Sequence, residues 1–106
     1  MMKFVALWNL PEDASEAEFE RWYRGTHIAD AKRIPGLRRY TVNRACAQTQ
    51  ASSAFYRMAE LSFDSYEAAQ HALASPEWQH ALRDASGRLI GHVRLFFDSE
   101  EIPLDG

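Results

Sequence analysis

The sequence predicts an α+β fold with elements in the order β-α-β-β-α-β. Four short runs rich in apolar, β-branched and aromatic residues alternate with two capped amphipathic stretches in that order. Size agrees: 106 residues make one domain, 1–106, able to bury roughly two-thirds of its unfolded surface.

The first strand covers 3–10, and Pro11 ends it. Ser15-Glu16-Ala17-Glu18 fits a capping box, in which the Ser15 hydroxyl accepts from a free amide while Glu18 reaches back. The helix it opens runs to about Arg33. At about 100° per residue, Phe19, Trp22, Tyr23 and Thr26 share one face, and Arg21, Arg24 and Lys32 point elsewhere. Pro35-Gly36 stops it. A second strand spans 37–47, a polar hairpin loop 48–53, and a third strand 54–63. Asp64-Ser65-Tyr66-Glu67 caps a helix over 68–73. Ser75-Pro76-Glu77 restarts it, with serine as cap, proline in the first turn and an acid favouring the dipole, and Gly87 closes it. The fourth strand covers 89–98, and 99–106 is a short acidic tail. Right-handed crossovers then give a four-stranded antiparallel sheet with both helices on one face, the ferredoxin-like arrangement.

Composition excludes several function classes. The chain is 46% hydrophobic and 25% charged, with a formal charge of −3 and both signs mixed, so it has no basic stripe for nucleic acid. No apolar run is long enough to cross a bilayer, and the first residues read as a strand rather than a secretory leader. Cys46 is the lone cysteine, which suits a reducing compartment, so the expected location is the cytoplasm. It has no histidine nearby in sequence and reads as structural. The five glycines form no phosphate loop, and no histidine–carboxylate spacing suits a metal. Neither a metal nor an organic cofactor is expected.

Strand alternation carries a further expectation. A sheet covered on one face should turn polar residues outward. Here Phe4, Ala6, Trp8 and Leu10 oppose Val5 and Leu7, while Ile90, His92, Arg94 and Phe96 oppose Val93, Leu95 and Phe97. A second face so rich in apolar side chains calls for a cover, and a second copy of the chain is the expected one, with Trp8 and Phe96 at the interface. Tyr56, Glu60, His92 and Arg94 are placed on that same face. There Arg94 could hold a carboxylate or enolate and Tyr56 could donate to a carbonyl; the alternative is an ion-pair network such as Arg94 with Glu60.

His27 is the leading site candidate. It lies about 40° beyond Tyr23, at the edge of the aromatic stripe, where an imidazole can reach a cavity and stay partly dry. The alternative is a half-buried histidine bonded to backbone. Asp30, three residues on, either orients His27 as a general base or caps a turn in water where the helix frays. His71 and His80 read as solvated helix residues.

An acid-capped helix carrying Phe19, Trp22, Tyr23 and His27 leads into Ile34-Pro35-Gly36-Leu37-Arg38-Arg39-Tyr40. Ala59-Glu60-Leu61-Ser62-Phe63-Asp64-Ser65 and Ser75-Pro76-Glu77 follow. As an ensemble covering nearly the whole chain, these segments resemble the EthD family of the dimeric α/β-barrel superfamily. The family usually has Pro-Leu two residues after the helix histidine; this chain has Ala29-Asp30. The resemblance implies a homodimer holding a small, mostly apolar organic molecule between sheet and helices. It also implies a link to oxidative degradation of ethers and aromatics, with isomerising or polyketide-ring chemistry among relatives. On this reading His27 and Asp30 are the acid–base candidates, and Trp8, Tyr23, Tyr56, His92 and Arg94 contact substrate. A non-catalytic protein delivering a ligand to an oxygenase is the competing class. A third reading, a haem-degrading or quinol monooxygenase on the same fold, would draw on Asn9, Trp78 and His80 or His71.

Overall fold

A computed structural model describes residues 1–105. The order of elements is β1 (Met2–Asn9), α1 (Glu16–Trp22), a π-helical turn (Tyr23–His27), α2 (Ile28–Ala31), β2 (Arg39–Arg44), a 3₁₀ turn (Gln50–Ser52), β3 (Arg57–Phe63), α3 (Tyr66–Leu73), α4 (Pro76–Ala85) and β4 (Ile90–Asp98). The strands form one antiparallel sheet in the order β2-β3-β1-β4, the ferredoxin-like topology the sequence predicts.

The caps are where their serines put them. Ser15 Oγ accepts from the Glu18 amide at 3.2 Å, Ser65 Oγ from Ala68 at 3.1 Å, and Ser75 Oγ from Trp78 at 3.2 Å. Gly87 follows α4 at φ 80, a conformation that suits glycine. β2 and β3 are shorter than the expected 37–47 and 54–63, since side-chain alternation says nothing about pairing, whereas β1 keeps its expected length shifted by one residue and β4 starts one residue later.

Helix one departs from expectation in two ways. It ends at Ala31 rather than Arg33, and between α1 and α2 it widens, so that the Ile28 amide donates to the Tyr23 carbonyl five residues back. In so wide a turn a four-residue step falls short of a full revolution, which lays the His27 ring over Tyr23. Gly25, a poor helix former in mid-helix, is the one sequence signal of the irregularity.

Register decides the faces of the sheet. Phe4 lies opposite Leu61 on one side and Phe96 on the other, Ala6 opposite Ala59 and Arg94, and Trp8 opposite Arg57. This is the helix-facing side: Phe4 meets Trp78 of α4 edge-on, centroids 5.5 Å apart, and Trp8 lies 5.7 Å from Tyr23. The expected placement is thereby corrected. Trp8, Phe96, His92 and Arg94 face the helices, whereas Glu60 shares the open face with Val5, Leu95 and Phe97. Pairing shifts parity between neighbouring strands, and no single strand reveals that shift. Glu60 therefore cannot pair with Arg94; it accepts from Lys3 Nζ at 3.1 Å and Asn43 Nδ2 at 3.0 Å.

A buried ionic latch ties α1 to the sheet. Arg57, 2% exposed, holds the Glu20 carboxylate through Nε (3.1 Å) and Nη2, and its guanidinium lies 4.6 Å from the Tyr23 ring centroid. Tyr56 donates to the same carboxylate at 2.7 Å and packs edge-on against Phe19. Burial works to raise the Glu20 pKa; the hydrogen bonds from Arg57 and Tyr56 and the Arg57 charge outweigh it, and the carboxyl sits below its ordinary range.

Candidate functional site

Between the helix-facing side of the sheet and α2 and α4 lies a mostly apolar cleft with an inner space of about 60 Å³. Phe4, Leu61 and Trp78 supply much of its wall. A shallower recess of about 310 Å³ shares Leu82, Leu89, His92 and Arg94 with it, so the cleft opens along the β4 edge. The edge is shaped by a bulge. Leu7 pairs with Val93 but Asn9 with Ile90, leaving Gly91 and His92 to oppose Trp8 together. Gly91 sits at φ 68, which a side chain would strain.

Four sequence-predicted site residues line this cleft: His27, Trp8, His92 and Arg94. His27 stacks on Tyr23, centroids 5.4 Å apart and planes 20° apart, and leans on Trp22 at 5.0 Å. Its Nδ1 is buried without a protein partner. Burial lowers the His27 pKa, opposed by the charges of Asp30 and Asp84, so the imidazole is neutral at pH 7 and free to accept a proton. Asp84 is itself held by the Trp22 indole N–H at 2.8 Å, which fixes the ring His27 leans on.

Trp8 is 3% exposed, and its indole N–H finds no acceptor in the protein. Such an orphan donor costs about 1–3 kcal/mol unless a water or ligand satisfies it. His92 has its pKa lowered by burial and then by the charge of Arg94 beside it. Tyr40 and Trp78 complete the polar and aromatic lining. The sequence pointed to Trp78 only under the haem-degrading reading and did not point to Tyr40 as a cleft residue. Tyr40 shares the helix side with Leu61 across β2–β3, a match that only register reveals.

The remaining candidates are elsewhere. Tyr23 is fully buried beneath His27 and supports it rather than lining the cleft; burial pushes its hydroxyl pKa far up. Tyr56 belongs to the Glu20 latch, because both Tyr56 and Arg57 turn toward the helices where β3 begins. The helix continues through Asp30, which is half-buried instead of solvated. Its Oδ2 lies 3.3 Å from Nε2 of the largely exposed His80, close enough for an ion pair but without hydrogen-bond alignment. Of the residues a haem-degrading site would need, Trp78 lines the cleft, but the Asn9 amide is spent on the Ala54 carbonyl at 2.9 Å and His80 faces Asp30. Cys46 is exposed after β2, its Sγ 3.0 Å from Thr49 Oγ1. No helix among the described residues is long and apolar enough to cross a membrane.

A sequence model of the EthD domain matches residues 11–100. The chain is 30% identical over 104 residues to an uncharacterised 11.0 kDa protein of the thcB-thcC intergenic region of Rhodococcus erythropolis, covering 98% of this chain and 99% of that one. A crystal structure of an ethyl tert-butyl ether D (EthD) family protein from Bacillus halodurans matches at 30% identity and TM-score 0.80, over 94% of this chain and 99% of that one. At lower identity the fold is shared with SnoaB, a cofactor-independent oxygenase from Streptomyces nogalater (20%, TM-score 0.70, 98% and 97% covered). It is also shared with a dimeric ferredoxin-like protein of unknown function from Thermobifida fusca (14%, TM-score 0.75, 91% and 88% covered).

Proposed function

This chain belongs to the EthD family, and from that premise we propose that it acts as a homodimer on a small apolar cyclic or aromatic molecule, taking a proton from it with His27. The observation that carries the proposal is the His27 imidazole itself: at the wall of an apolar cleft, stacked on a buried tyrosine, its buried Nδ1 without a protein partner and its pKa lowered by burial. A base of this kind withdraws a proton from an acidic C–H or O–H and needs no prosthetic group to do so. The resulting carbanion, enolate or phenolate can isomerise or enter an oxidation, which is the link to oxidative degradation. The oxygenase among the fold relatives is described as cofactor-independent, which accords with such chemistry. The cytoplasm, where small metabolites and a free thiol coexist, is the proposed location.

His27→Ala is the test: the proposal expects ligand binding to persist and turnover to disappear. Binding by wild type with no turnover of any bound ring compound would instead make the protein a carrier that delivers its ligand to an oxygenase.

The dimer rests on the open sheet face. Val93, Leu95 and Phe97 are 36%, 42% and 48% exposed there, flanking Val5 and Leu7 of β1. A contiguous apolar patch on an antiparallel sheet is an interface in waiting, and a self-complementary copy covers it by two-fold symmetry. The dimeric relative of the same fold supports this reading. Light scattering at micromolar concentration is expected to give twice the 12.1 kDa chain mass for wild type, and the single chain mass for Leu95→Glu. A wild-type monomer contradicts the dimer.

A further inference from the structure

We infer that the cleft is built for a carboxylate: a small planar ring acid whose apolar body lies against Phe4, Leu61 and Trp78 and whose anion sits at the mouth on Arg94 and His92. The inference rests on the ring-binding reading above and adds the charge of the ligand.

Three observations point the same way. The titratable side chains lining the cleft are His27, Tyr40, His92 and Arg94, with no aspartate or glutamate among them. Acids outnumber Lys and Arg in this chain, 15 to 12, so their absence from the cleft does not follow from composition. Second, Arg94 is the arginine that lines the cleft, and like Arg21, Arg33, Arg39, Arg83 and Arg88 it meets no carboxylate among the described residues, so its guanidinium is free for a ligand. It stands beside Ala6, an open donor fork on the helix-facing side. A guanidinium fork matches a carboxylate through two parallel N–H···O bonds. Third, the Trp8 indole is a donor only, nine-tenths buried and unpaired, and it opposes the bulge that carries His92. An acceptor oxygen on the ligand satisfies it.

Size sets the direction. A benzene-sized ligand needs roughly 150 Å³, more than the inner 60 Å³ holds. The ring must therefore straddle inner space and mouth recess, and this leaves one end of the ligand at Arg94 and the other toward His27.

Benzoate and its neutral counterpart benzamide separate charge from shape. Binding is followed through the assigned Trp8 indole N–H and His27 ring resonances in the full chain. Wild type is expected to bind benzoate about tenfold or more tightly than benzamide, the scale of one charge-assisted contact. Arg94→Gln should bring benzoate down to benzamide's affinity and leave benzamide unchanged; Arg94→Lys should keep part of the preference. Equal affinity of wild type for the two, or a preference that survives Arg94→Gln, overturns the inference while leaving a ring-binding cleft. If neither ligand moves these resonances at millimolar concentration, ring binding and anion inference fall together.

Discussion

Arg57→Met is expected to destabilise the domain by about 3–5 kcal/mol, the range for removing one partner of a buried ion pair. The side chain is 1% exposed and supplies two of the hydrogen bonds that keep the Glu20 carboxylate charged inside the protein. Without it, Glu20 keeps the Tyr56 hydroxyl and two more distant arginines, Arg24 at 3.8 Å and Arg44 at 3.9 Å. Domains of this size have roughly 5–15 kcal/mol to lose, so the melting temperature should fall by about 15 °C or more. Thermal unfolding at fixed chain concentration reads it, concentration mattering because a dimer gains stability by mass action. Glu20→Leu combined with Arg57→Met should recover much of the loss, since an apolar pair of similar volume leaves no charge unpaired. A loss within about 1 kcal/mol for Arg57→Met alone would remove the latch as a determinant of the fold. The pH dependence has a defined sign. Glu20 has its pKa depressed on folding, so its contribution is fully present above the unfolded carboxyl value near 4.5 and is lost as pH falls through the folded one.

His27→Ala carries the largest expected effect on chemistry. A positioned general base contributes roughly 10²–10⁴-fold to a proton transfer, so turnover of a bound ring substrate should drop by that factor. Phe4, Leu61 and Trp78 still wall the cleft, and substrate affinity should change little. In wild type the rate should be level near neutrality and fall on the acid side of 6.5, because His27 must be neutral to accept and burial, outweighing Asp30 and Asp84, holds its pKa below that value. Loss of affinity with the turnover of bound substrate intact would give His27 a packing role only. Single-turnover kinetics beside equilibrium binding distinguish the two.

What could be read from the sequence divides along the range of the interactions involved. Ser15, Ser65 and Ser75 announce their helices because a cap is made within three residues, and Gly87 ends one for an equally local reason. The element order followed, and with it the sheet. Phe19, Trp22, Tyr23 and His27 could be grouped because a helix brings them together by spacing alone. The π-helical turn that puts His27 directly over Tyr23 could not, since one extra residue per turn changes no periodicity over so short a span. The faces of the sheet were the larger miss. Alternation says which residues of a strand go together, but whether Arg94 joins Phe4 or Val5 depends on pairing between residues nearly ninety positions apart. Tyr56 defeated alternation outright, because it and Arg57 both reach Glu20. Helical spacing points Asp30 toward His27, its neighbour on the helix, whereas the side-chain contact it makes is to His80, fifty residues away on α4.

Proton abstraction in the cleft requires a desolvated, neutral His27, and the protonation midpoint of its ring by NMR titration of the unliganded protein tests that directly. Burial here outweighs the attraction of Asp30 and Asp84, so the midpoint should lie below the ordinary 6.5, and Asp30→Asn should lower it further by removing one of the charges that raise it. A midpoint at or above 6.5 in the wild type would mean a solvated or acid-paired imidazole, and would contradict His27 as the base of the cleft.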